Sequence, residues 1–204
     1  MLTIAPYPMP TVRDLTPGPA RWRPDPRRAA LLVHDMQYYF LGRFPAGESP
    51  TTELLANVAT LRATGLPVIY SAQPGRMSPA DRGLLHDFWG PGMTDDPASR
   101  GIVAELAPGP DDLVVTKYRY SAFHRTGLAG HLRAMGRDQL VVCGVFAHLG
   151  CLLTACDAYA HDIQPFLVAD AVADFSAEDH RLALDYAARA CAVTLTTAQL
   201  VEAL

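Results

Sequence analysis

Six short runs rich in β-branched and aliphatic residues, AALLVHD, PVIYSA, DLVVTK, QLVVCGV, PFLVAD and AVTLT, punctuate the chain, and each is apolar on both alternating faces. Strands covered by helices on two sides have this character, whereas half-exposed strands alternate. Helical patterns occupy 51–64, 99–107, 127–135, 151–161 and 177–190, the last with Ser176 as its N-cap. Strand and helix alternate throughout. The sequence therefore predicts an α/β fold in three layers, with a six-stranded, mostly parallel sheet and helices on both faces. At 204 residues, 50% hydrophobic and 19% charged, there is material for one domain with a substantial core.

Ahead of the first run, seven prolines fall between positions 6 and 26. They bar regular helix or central strand there and predict an extended arm, 1–28, laid over the body or a neighbouring subunit, with the single domain at 29–204. A formal charge of -4 without a stripe of lysine and arginine excludes an electrostatic nucleic-acid footprint. No basic stretch precedes an apolar one at the N-terminus, and the most apolar span, 140–156, is interrupted by Gly144, His148 and Gly150, so no membrane segment is expected. Cys143, Cys151, Cys156 and Cys191 lack paired metal-type spacing and sit in apolar segments, which predicts a reduced, cytoplasmic protein.

In open parallel sheets ligands bind beyond the carboxyl ends of the strands. The residues there are Asp35, which ends the first run, Gln73, to which the second leads, Lys117, which ends the third, and the segment from Val145 and Phe146 to Gly150 after the fourth. Singly, each has an ordinary structural reading as a turn residue or a solvated charge. Jointly, Asp35 and Lys117 both end apolar strands, where a lone charge is costly and a paired one tolerable. His34 should face the other side of its strand as a satisfied structural histidine. The longest non-periodic segment after the arm, 74–97, has the character of a functional loop.

The segments LLVHDMQYYFL, SAQPGRMSPADRGLLHDFWGPGM, LAPGPDDLVVTKYRYSAFHR, GVFAHLGCLLTACDAY and DIQPFLVADAVADFS resemble the isochorismatases, within the wider family of nicotinamidases and other cysteine hydrolases. The resemblance spans nearly the whole chain and is nearest to free-standing enzymes of phenazine-type pathways. It implies an isochorismatase-like fold and a small dicarboxylate substrate, either isochorismate or 2-amino-2-deoxyisochorismate. It further implies secondary-metabolite biosynthesis, no cofactor and a homodimer. The cysteine hydrolases use aspartate, lysine and cysteine, with the cysteine opening the helix after the fourth strand. Here Gly150 takes that place, and Cys151, rotated by about 100° along a helix, should point away as a packing residue.

A thiol is dispensable if the reaction is vinyl ether hydrolysis, which begins with protonation of carbon. By resemblance Asp35 delivers the proton, Lys117 attends it, and water captures the oxocarbenium ion, releasing pyruvate. Apolar neighbours such as Phe40 favour the protonated acid, whereas the Lys117 cation opposes it unless substrate carboxylates engage the lysine. Gln73 and Arg82 carry over as carboxylate donors, the backbone near Phe146 and Gly150 as a receptor for charge, and Phe40 and Trp89 as walls. Phe146 stands where relatives commonly have tyrosine, and Tyr118 where they have tryptophan. Related hydrolases with a metal carry a DxH-type motif after the second strand. This chain has SAQPGRM and seven scattered histidines, so no metal is expected. Two rivals stay open: a cysteine amidohydrolase using Cys151, and a catalytically silent binding partner in a biosynthetic assembly.

Overall fold

The computed structural model describes residues 3–204. All six apolar runs form strands: β1 (Ala29–His34), β2 (Val68–Ala72), β3 (Leu113–Thr116), β4 (Gln139–Val145), β5 (Gln164–Ala173) and β6 (Val193–Leu195). They make one parallel sheet in the order β3-β2-β1-β4-β5-β6. The chain winds outward from β1 to β3, returns to the centre at β4, and winds the other way. The reversal lies between β1 and β4, and it opens a crevice beyond their carboxyl ends.

Alternation along each buried strand sends odd and even residues into different layers. Leu31, Val33, Val141 and Cys143 pack with Leu54, Val58 and Leu61 of α2 (Thr51–Arg62), each apolar side chain contributing roughly 1.5–3 kcal/mol. Leu32, Leu140 and Val142 pack instead with Leu128 and Leu132 of α6 (Leu128–Ala134), with Ala155 of α7 (Leu152–Ala160), and with Ala183 and Ala187 of α8 (Ala177–Ala190). Ser176 caps α8 as expected, its Oγ accepting from Asp179 N at 3.0 Å. The arm lies against its own chain. Ile4 and Tyr7 are buried in the α2-side cluster, and Ile4 N donates to Arg43 O at 2.8 Å.

The single helix expected at 99–107 does not form. A short α5 (Pro97–Arg100) stops at Gly101, and a single 3-10 turn follows at Ala104–Leu106. Tertiary pairing takes the backbone between them: Tyr38 N donates to Gly101 O, Val103 N donates to Met36 O, and Ile102 bridges to Gln37. Apolar periodicity there came from residues that cover the segment after β1 without continuous helix. The loop 74–97 contains α3 (Pro79–Arg82) and α4 (Leu85–Trp89), both too short to leave a periodic signal. A final helix, α9 (Thr197–Ala203), opens on a capping box formed by Thr196 and Gln199. One more short helix, α1 (Tyr38–Leu41), follows β1 and overhangs the crevice.

Candidate active site

Strand β1 ends at His34, one residue before the acid that the sequence placed on it. Asp35 has φ 50°, in the left-handed region that aspartate tolerates better than most residues, and the turn brings its side chain to the crevice. Lys117, just beyond β3, meets it: Lys117 Nζ lies 2.7 Å from Asp35 Oδ2, and both side chains are almost wholly buried. The ammonium also donates to Arg119 O at 3.0 Å and Tyr120 O at 3.3 Å, so its three protons all have acceptors. Gln73 Nε2 adds a long donor contact to the same Oδ2, at 3.5 Å. Asp35 Oδ1 is buried with no hydrogen-bond partner at all. An orphaned carboxylate oxygen in a crevice is a costly arrangement for stability and a useful one for chemistry.

The crevice is a cavity of about 60 Å³ that opens to solvent at its mouth. Its lining contains all nine residues that the sequence reading assigned to catalysis or substrate binding, Asp35, Phe40, Gln73, Arg82, Trp89, Lys117, Val145, Phe146 and Gly150, and not Cys151. Arg82 is buried, donates from Nε to Gly90 O at 2.8 Å, and reaches Gln73 Oε1 at 3.4 Å. Desolvation holds its guanidinium below the usual arginine range. Phe146 stacks on Phe44 at 5.7 Å and meets Phe40 edge-on at 5.8 Å, in an aromatic wall where a phenol hydroxyl would need a partner. Tyr39, Arg43, Tyr120 and Phe175 also border the crevice, and no motif in the sequence pointed to them. Trp89 is anchored by two of these, donating to Tyr120 Oη at 2.6 Å and stacking on Phe175.

The segment 146–152 explains why no thiol stands here. After the cis peptide bond between Val145 and Phe146, one turn of π-helix spans Ala147–Cys151 and leads into α7. A Cβ on Gly150 would overlap His34 Cε1. His34 is fully buried, with Nδ1 3.0 Å from Val145 O and Nε2 3.2 Å from Tyr120 O, and desolvation pushes its pKa down to about 4. The imidazole thus occupies the volume that a side chain at 150 would need. Cys151 faces the opposite layer, fully buried among Leu128, Ala155 and other residues of the α6 and α7 side, and burial raises its thiol well above the ordinary range. A thiol so placed is inert. Among the described residues, the group suited to hold a metal ion is His148, Asp174 and Asp179. It is outside the crevice lining, and both Asp174 oxygens already accept N–H bonds from His148 and Phe175.

Comparison with known proteins agrees with this geometry. The family described as "Isochorismatase domain" matches residues 29–199. The phenazine biosynthesis protein PhzD1 of Pseudomonas aeruginosa is 56% identical over 98% of this chain and 97% of its own length. An isochorismatase of Bacillus subtilis is 54% identical over 98% of this chain, which spans 66% of that protein's length. Among solved structures, a cysteine hydrolase from Pseudomonas syringae superposes with a TM-score of 0.81 at 28% identity, covering 92% of this chain and 96% of the other. The six-stranded parallel sheet, the crevice at its switch point and these matches together show that the chain belongs to the isochorismatase family of hydrolytic enzymes.

Proposed function

We propose that this enzyme hydrolyses the enolpyruvyl vinyl ether of isochorismate or 2-amino-2-deoxyisochorismate without a covalent intermediate. The products are pyruvate and either 2,3-dihydro-2,3-dihydroxybenzoate or trans-2,3-dihydro-3-hydroxyanthranilate. The observation that carries the reading is the half-satisfied Asp35 in the crevice lining: Oδ2 is held by Lys117, while Oδ1 is buried without a partner. In the complex, substrate carboxylates draw on the cations around the acid and let Asp35 hold a proton. Asp35 gives that proton to the terminal methylene carbon, which becomes a methyl group and leaves an oxocarbenium ion. Water adds to the cationic carbon, and the hemiketal breaks its bond to the ring oxygen, which leaves as the ring alcohol. No step calls for a cofactor or a thiol. Gln73 and Arg82 orient the substrate, Val145, Phe146 and the Gly150 backbone form the floor, and Phe40 and Trp89 wall the ring.

The PhzD1 relative, whose name places it in phenazine biosynthesis, supports a role of this chain in secondary-metabolite biosynthesis. The reading extends to a cytoplasmic homodimer with no nucleic-acid or membrane partner. It is consistent with four unpaired cysteines and with the exposed apolar pair Leu182 and Tyr186, one turn apart on α8.

Purified protein incubated in D2O with each compound should release pyruvate, read with a coupled lactate dehydrogenase, and the pyruvate methyl group should carry one deuterium. Retained activity in Cys151→Ala separates this chemistry from a cysteine amidohydrolase. Absence of turnover on both compounds would overturn this reading in favour of the amidohydrolase or the binding partner.

A further inference from the structure

A dicarboxylate needs two sites of positive charge, and the crevice contains an unassigned one. Of the charged side chains that line it, Asp35 and Lys117 neutralise each other, which leaves Arg82 and Arg43. Arg82 spends Nε on Gly90 O and one terminal nitrogen on Gln73, both within the wall. Arg43 is different. Its guanidinium lies 4.9 Å from the centre of the Tyr39 ring, its Nε is buried without a hydrogen-bond partner, and among the described residues no carboxylate oxygen comes within 4.0 Å of it. A cation stacked on an aromatic face, half-buried at a crevice wall and lacking an anion is arranged to receive one. The backbone fixes its place as well. Arg43 follows α1, Arg43 N donates to Phe40 O at 3.2 Å, and Arg43 O accepts from Ile4 N of the arm. The residue that presents this guanidinium is thereby tied to the proline-rich arm.

We infer that Arg43 is a substrate-binding residue that takes one of the two substrate carboxylates, leaving the other to Arg82 and Gln73. This assignment rests on the dicarboxylate enol ether proposed above. Paired with that substrate, the two arginines hold the two negative charges, and those charges also draw on Lys117 beside Asp35. The arm then serves substrate recognition through the Ile4 contact.

The test uses Arg43→Gln and Arg43→Lys in the full-length protein, with the enol ether as substrate. A non-reactive analogue, in which the vinyl ether is replaced by a saturated lactyl ether carrying both carboxylates, serves as the binding probe. Loss of a charged hydrogen-bonding partner should raise KM and the analogue's Ki by about 10- to 100-fold in Arg43→Gln, with kcat within a few-fold of wild type. Arg43→Lys keeps the charge without the fork and should recover part of the loss. Unchanged KM and Ki in Arg43→Gln overturn the assignment, as does a fall in kcat with KM unaltered. If Arg43→Gln fails to fold, an unchanged Ki in Arg43→Lys overturns it equally. Wild-type protein that neither binds the analogue nor turns over the enol ether refutes the dicarboxylate reading itself, whereas wild-type activity matched by both variants refutes Arg43 alone.

Discussion

Asp35 and Asp174 are both buried aspartates beside a cationic or protonatable partner, at the carboxyl ends of strands on the two halves of the sheet. Their hydrogen bonding separates them. Asp174 Oδ1 accepts from His148 Nδ1 and from Phe175 N, each at 2.8 Å, and Oδ2 accepts from His148 N. Its backbone is held too, since Asp174 N donates to Tyr7 Oη at 2.7 Å and ties the arm to the end of β5. Asp35 has one oxygen on Lys117 and the other on nothing. A carboxylate with both oxygens bonded is a clamp, because three of its roughly four acceptor sites that burial removed from water have been refilled. A half-saturated one retains an oxygen free to exchange a proton with a guest.

The same isosteric change should therefore have opposite consequences at the two sites. Asp35→Asn keeps an oxygen on Lys117 and turns the amide nitrogen toward the unpartnered side, so the fold survives, but no transferable acid proton is left. We expect pyruvate release to fall by about 1,000-fold or more, with a melting temperature near that of wild type. Substantial turnover by that variant would remove Asp35 from the chemistry and erase the distinction.

Asp174→Asn has no spare side to turn. Whichever way the amide faces, its NH2 opposes an N–H donor from His148 or Phe175, and a buried charged contact is lost. The expected cost is about 3 kcal/mol of stability by denaturant unfolding, while kcat measured well below the melting transition stays within a few-fold of wild type. A large loss of kcat at intact stability would show that this clamp acts on the reaction as well.

The fold was legible because buried parallel strands leave short, doubly apolar runs, and all six appear where those runs lie. The 99–107 segment misled because its backbone bonds to Met36 and Tyr38 across space instead of continuing a helix. Asp35, Lys117, Gln73 and Gly150 follow strands whose ends topology must bring together, so strand order alone gathers them. Arg43 carries no such mark. It sits one helical turn past Tyr39, and only the folded arrangement shows a guanidinium without an anion. Nor did sequence suggest that His34 fills the space above Gly150. Its strand alternation was readable, while the contact depends on where the π-helical turn carries the backbone.

The smallest expected effect concerns the partner of the Asp174 carboxylate. The hydrogen bond to Asp174 raises the His148 pKa in the folded protein above its ordinary value of 6.5, with burial opposing and the carboxylate's charge reinforcing. A histidine whose folded pKa exceeds its unfolded one binds protons more tightly when native, so its contribution is complete below about pH 6.5. As pH rises through the folded value, the imidazolium is lost and with it the ionic part of the clamp, although neutral His148 still has an N–H to donate. Wild-type stability should decline through this window relative to His148→Gln, which retains a donor but does not titrate. The ring is about a quarter exposed, so solvent screens the pair and the decline is modest. Parallel melting curves of the two proteins across the window would sink the clamp's ionic component, and a wild type that gained stability over the variant with rising pH would reverse its sign.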